Sequence, residues 1–138
     1  MDKRKKKVLN IVQNRNLFGV MNNTKWKEFQ NAMIQEMNFP PPYVLKSITE
    51  IESERHEFGE DVTWIGDWSD EAMCWGDYYL IEWVKIRPRY LEYQGKLIPK
   101  KIIDGTEQLQ FILQNYSIPY DEDDGVFVVY GYKEIGSV

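Results

Sequence analysis

Apolar positions recur at helical spacing in two places along the chain and alternate in several others. Trp26, Phe29, Met33 and Met37 follow three- and four-residue steps, and Asn22, Asn23 and Thr24 offer oxygens for the free amides of a first turn. This predicts a helix over residues 25–37. Leu109, Ile112, Leu113 and Tyr116 repeat the period behind Asp104 and Glu107, a cap and its partner three residues on. A second helix is expected over 105–116. Pro40-Pro41-Pro42 ends the first helix, because proline supplies no amide and restricts its predecessor, and the run reads as a rigid connector.

Two-residue alternation marks strands, weakly over 43–51, briefly over 61–65 and strongly over 77–87. In the last of these, Tyr79, Ile81 and Trp83 share one face, and Tyr78, Leu80, Glu82, Val84 and Ile86 the other. Apolar residues on both faces indicate a central strand under a helix. Residues 89–93 and 96–103 flank Gln94-Gly95 as a hairpin. Asp121 to Gly125 reads as an acidic turn before a last strand over 126–132. The expected fold class is therefore α+β: an antiparallel sheet of about four to six strands, with both helices packed on one face.

Charge changes the picture at the N-terminus. Residues 1–27 hold eight Lys/Arg and one Asp, while the rest hold nine Lys/Arg and twenty-one Asp/Glu, for a net charge of −5. The run Lys3 to Lys7 has no apolar partner beside it, so residues 1–20 are expected as a flexible basic extension, in which Val8, Leu9, Ile11, Val12, Leu17, Phe18 and Val20 allow a short helix, and residues 21–138 as a single domain. The acidic body disfavours nucleic-acid phosphate and favours basic partners. The strip Lys85 to Lys101, with Tyr90 and Tyr93, is the only feature that suggests single-strand stacking. No run approaches the eighteen or so apolar residues a membrane span needs. The lone Cys74 allows no internal disulfide and fits a reduced, cytoplasmic setting.

The stretch from Glu50 to Trp83 holds four of the five tryptophans and eleven acids against one base, Arg55. Indoles leave water and carboxylates stay in it, so the mixture suits either a recognition surface or a core with an acidic rim. Trp68, set between Gly66-Asp67 and Ser69-Asp70, is the expected exposed indole, whereas Trp64, Trp75 and Trp83 are more readily core. The candidate binding residues are Trp64, Asp67, Trp68, Asp70, Glu71, Trp75 and Asp77.

Catalytic and metal chemistry find little support. His56 with Glu52, Glu57 and Glu60 matches no ligand spacing, and Asp121, Asp123 and Gly125 do not continue into a calcium loop. Asp67, Asp70, Asp77 and Glu82 supply carboxylate pairs of the kind glycoside hydrolysis uses, as any acidic sequence does. No phosphate loop or nucleophile motif is present, and the surroundings of Cys74 do not activate it. No metal and no cofactor are expected. The leading functional expectation is an acidic protein-binding domain, specifically an immunity protein that neutralises a cationic toxin domain. A small enzyme or ligand-binding domain with carboxylates around an aromatic pocket is the second reading, and a homodimeric structural or regulatory domain the third.

Three segments together resemble a known family: Asn22-Asn23-Thr24-Lys25-Trp26, Tyr79-Leu80-Ile81-Glu82-Trp83 and Ile118-Pro119-Tyr120-Asp121 through Tyr132. They resemble a family of small, functionally uncharacterised bacterial proteins, over about residues 21–133. The resemblance implies fold boundaries and no catalytic residues.

Overall fold

The structure, a computed structural model, describes residues 2–50, 58 and 60–136. The α+β expectation holds. Helix α1 (Lys3–Asn14) leads into strand β1 (Leu17–Gly19), helix α2 (Asn23–Gln35) and strand β2 (Tyr43–Ser47). A 3₁₀ turn at Tyr78–Leu80 precedes β3 (Ile81–Ile86), β4 (Arg89–Glu92), β5 (Lys101–Asp104) and helix α3 (Thr106–Asn115). Strands β6 (Asp121–Asp123), β7 (Val126–Tyr130) and β8 (Tyr132–Glu134) follow. The central sheet has the order β2-β3-β7-β6, and β1-β8 and β4-β5 form separate two-stranded ladders. All named pairings are antiparallel.

Helix α2 starts as its sequence specifies, capped by Asn22, whereas the cap of α3 is Gly105 and not the expected Asp104, which lies one residue ahead and braces the turn. Asn22 accepts from the Lys25 amide at 2.8 Å, and Asp104 from the Thr106 amide at 2.8 Å. The apolar stripes of α2 and α3 bury Trp26, Phe29, Met33, Leu109, Ile112 and Leu113 against one face of the central sheet. That face presents Tyr43 and Leu45 from β2, Val84 and Ile86 from β3, and Phe127 and Val129 from β7. Each fully buried large side chain contributes roughly 2–3 kcal/mol of transfer free energy.

The strand over 77–87 is shorter than expected and changes face. Lys46 pairs with Trp83 and Ser47 with Ile81, so Glu82 is an extra residue, a bulge. A bulge shifts the alternation by one. Ile81 therefore joins Val84 and Ile86 in the core, while Glu82 and Trp83 turn to the opposite face, beside Lys46. Strand 61–65 is reduced to one bridge, Val62 to Tyr90. Asp121–Asp123 is strand and not turn. The reversal is confined to Asp124-Gly125, at φ +50° and +77°, a pair of positive values that suits a tight hairpin.

The last strand breaks at Gly131. Its amide donates to the Glu82 carbonyl at 2.8 Å, its carbonyl accepts from Val20 at 2.8 Å, and a Cβ there would lie 2.0 Å from the Ile81 oxygen. Only glycine fits, and the chain passes there from the central sheet to the β1 ladder.

Residues 3–19 are helix and strand in place of the extension expected over 1–20. Val8 and Leu17 enter a second apolar cluster with Ile48 and Leu80, and β1 pairs with β8. The basic run hides this in the sequence because its partners are distant: Arg4 bonds Tyr79 and Asp77, and Lys5 lies over the Tyr79 ring. Most of the acidic arm expected around Glu52 to Asp61, with His56, lies outside the described residues.

Candidate functional site

Gly66 fixes the geometry of the acidic aromatic stretch. Its amide donates to the Pro40 carbonyl at 3.1 Å, and a Cβ would fall 2.3 Å from the Pro41 oxygen. The three prolines thus supply carbonyl acceptors along a stiff segment that has no amides of its own. Two residues on, Trp68 turns inward. Its indole N–H donates to the Pro41 carbonyl at 3.0 Å and its ring packs 5.4 Å from Phe29 and 5.0 Å from Trp75. Trp68 is 2% exposed and Trp75 3%. The exposure expected of Trp68 is therefore corrected: its polar flanks face out while the indole finds an apolar cavity and an acceptor.

Polar bonds hold this loop on the body. Buried Gln30 donates to the Trp68 carbonyl and to Asp70, both at 2.8 Å, and accepts from Tyr78 at 2.6 Å. The Tyr43 hydroxyl donates to the Asp67 carbonyl and accepts from the Trp75 indole at 2.9 Å. Burial pushes the Tyr43 and Tyr78 hydroxyls up from their ordinary pKa, so both stay protonated donors at neutral pH.

The result is a groove of about 540 Å³ beside β2, walled by Tyr43, Val44, Trp64, Ile65, Ala72 and Met73, with Asp67 at its rim. Trp64 is 44% exposed, Ile65 49% and Met73 64%. Met73 sits at φ +54°, a backbone region that side chains with a Cβ seldom adopt. Of the expected binding residues, Trp64 and Asp67 line the groove. Asp70 and Glu71 are exposed in the adjoining turn, Trp68 and Trp75 lie in the core beneath, and Asp77 pairs with Arg4 at 3.2 Å. Ile65 and Met73 are the residues that sequence reasoning missed. The only signal was their place among turn residues, where an apolar side chain has nothing local to pack on.

A second cleft of about 460 Å³ opens on the opposite face of the sheet, lined by Ile11, Arg15, Lys46, Ile48, Glu82 and Trp83 among others. Arg15 grips Glu82 through two bonds of 2.7 and 2.9 Å, and Lys46 approaches it at 2.6 Å. Burial opposes ionisation of Glu82, but the bonds from Arg15 and Lys46 outweigh it and hold the carboxyl below its usual pKa. The four acids considered for hydrolysis are thus not gathered in one cleft. Asp67 lines the apolar groove, Glu82 the opposite cleft, and Asp70 and Asp77 line neither. Among the described residues no three His, Cys, Asp or Glu side chains form a metal-holding group, and no helix is long and apolar enough to cross a membrane. Cys74 is half-buried, and burial pushes its thiol pKa up, consistent with an inert thiol.

The chain belongs to a family of unknown function, DUF6678, whose model matches residues 8–136. The match begins inside α1, earlier than the resemblance over 21–133 placed it. No curated protein and no solved structure gives a significant match.

Proposed function

We propose that this protein is a binding module whose groove at Trp64, Ile65 and Met73 docks a cationic partner protein. One observation carries the reading: three large apolar side chains stand exposed around a single groove with a carboxylate at its rim. Exposed apolar patches with polar rims mark interaction sites, and Trp and Met are favoured in them. Charge sets the sign of the partner. The sequence has no Lys or Arg between Arg55 and Lys85, and Asp67, Asp70 and Glu71 meet no cation among the described residues. Such a rim speeds approach of a basic surface and repels an acidic one. Neutralisation of a cationic toxin domain is the specific form of this reading.

Affinity capture from the cells of origin, followed by calorimetric titration of the captured protein, tests it. The expected result is a basic partner whose binding weakens at least about tenfold in Trp64→Ser and Met73→Ser, a loss of about 1.4 kcal/mol or more, and weakens with salt. Phe111→Ser, at an exposed position on α3, should leave it unchanged. Binding indifferent to Trp64 and Met73 sinks the reading. Protection of cells that co-express the captured partner supports the immunity form, and lack of protection removes it.

A further inference from the structure

A second group of exposed apolar side chains lies in the connection between β4 and β5. Tyr93 is 71% exposed, Leu97 98%, Ile98 56% and, at the start of β5, Ile102 51%. Lys96, Lys100 and Lys101 stand among them, and no acid occurs between Glu92 and Asp104. Leu97 is also held at φ +66°, and Ile98 donates back to the Gly95 carbonyl at 3.3 Å. A leucine at positive φ that touches almost nothing of its own chain is a strained presentation, and strain of this kind gathers at sites that bind. The hairpin is thus basic and apolar, and the groove is acidic and apolar.

The segments that carry the two surfaces meet at the base of the hairpin. The Leu91 amide donates to the Val62 carbonyl at 2.8 Å, and Val62 bridges Tyr90, so the base of the hairpin runs beside the strand that leads to Trp64. We propose that two copies of this chain pair reciprocally, the Leu97–Ile98 tip of each seated in the Trp64–Met73 groove of the other. A two-fold axis makes the two contacts equivalent, so that one pairing supplies both. The lysines of the tip face Asp67 and Glu71 of the second copy. This inference rests on the groove reading above and adds an occupant to it: a cationic partner then displaces the hairpin. The net charge of −5 disfavours the other class of surface a basic apolar tip fits, an anionic membrane.

Sedimentation velocity of the full chain over a range of concentrations tests the pairing, with Leu97→Asp and Met73→Lys as single variants. Both sites are exposed, and unchanged circular dichroism melts verify folding. The expected result is a wild-type monomer–dimer equilibrium that weakens with salt, loss of dimer by at least about tenfold in each variant, and partial recovery in an equimolar mixture of the two. Recovery follows because the mixture retains one intact hairpin–groove contact. A wild type that stays monomeric throughout overturns the inference, and so does a dimer insensitive to either variant or a mixture without recovery. Leu97-dependent binding of wild type to phosphatidylserine vesicles, with no dimer, overturns it in favour of a membrane. Capture of a basic partner by a monomeric wild type overturns the pairing alone and leaves the groove reading standing. A dimer that needs Leu97 but not Met73 refutes hairpin–groove docking.

Discussion

Carboxylates at positions 61, 77 and 82 and those at 67, 70 and 71 come from one acidic stretch and meet opposite fates. Asp61 is gripped by both Arg87 and Arg89, with bonds from 2.7 to 3.1 Å, and Arg89 also approaches Asp104 at 3.8 Å. The Arg89 bonds, ahead of burial, dominate and hold the Asp61 carboxyl below its usual pKa. Glu82 meets Arg15 and Lys46, and Asp77 meets Arg4. Asp67, by contrast, accepts from the hydroxyl and the amide of Ser69 in its own turn, and Asp70 from neutral Gln30. The first set joins segments distant in sequence. The second leaves its charge facing outward next to the groove. Composition alone had merged the two, and the difference is whether a base arrives from another part of the fold.

The contrast can be broken most forcefully beneath the groove. Trp68→Ala should cost about 4 kcal/mol in urea unfolding, from a lost indole and the cavity it leaves. It should also disorder the groove floor. Glu82→Ala leaves Lys46, whose side chain is 6% exposed, without its carboxylate, and should cost about 3 kcal/mol. Its pH dependence has a definite sign. A carboxyl with a depressed folded-state pKa stabilises fully above the unfolded Glu value of about 4.3, and that stability fades as pH falls through the folded value. Acid unfolding followed by far-ultraviolet circular dichroism should therefore begin at higher pH in wild type than unfolding of a non-ionising variant matched for stability. Asp61→Asn should cost about 1 kcal/mol, because its arginines are partly solvated. At the small end, Trp64→Ser should shift stability by no more than about 0.5 kcal/mol, and Asp67→Asn should leave the melting midpoint in place, while both weaken partner binding. A large loss of stability from either would move the groove into the structural set.

Helices α2 and α3 were legible because their stripes and breakers agree, although the cap of α3 falls on Gly105 and not on Asp104. Trp26, Phe29 and Met33 are buried, and Asp124-Gly125 marks the one tight reversal in the acidic segment. What escaped depends on contacts from afar. Trp68 follows Gly66-Asp67, a turn signal that describes the backbone correctly and says nothing of an indole reaching the Pro41 carbonyl. The bulge at Glu82 has no local mark, so a strict alternation put Ile81 on the wrong face. Val8, Leu9, Ile11 and Val12 allow a short helix after five bases, but nothing local says that it docks on Ile48 and Leu80. Of the groove, the sequence named Trp64 and Asp67. Ile65 and Met73 became visible only when the loop closed on the prolines.

Gly131 also bears on the order of assembly. It couples β7 to β8, and β8 is the partner of β1, so β1 waits for nearly the last of the described residues. Contacts of such long sequence separation form slowly, since closing the loop costs entropy before any contact is gained. On a ribosome, α1 can meet Ile48 and Leu80 once they are made, whereas the ladder of β1 stays open until β8 arrives. Pulse-labelling hydrogen exchange during refolding should find the amides of β1 and β8 protected last.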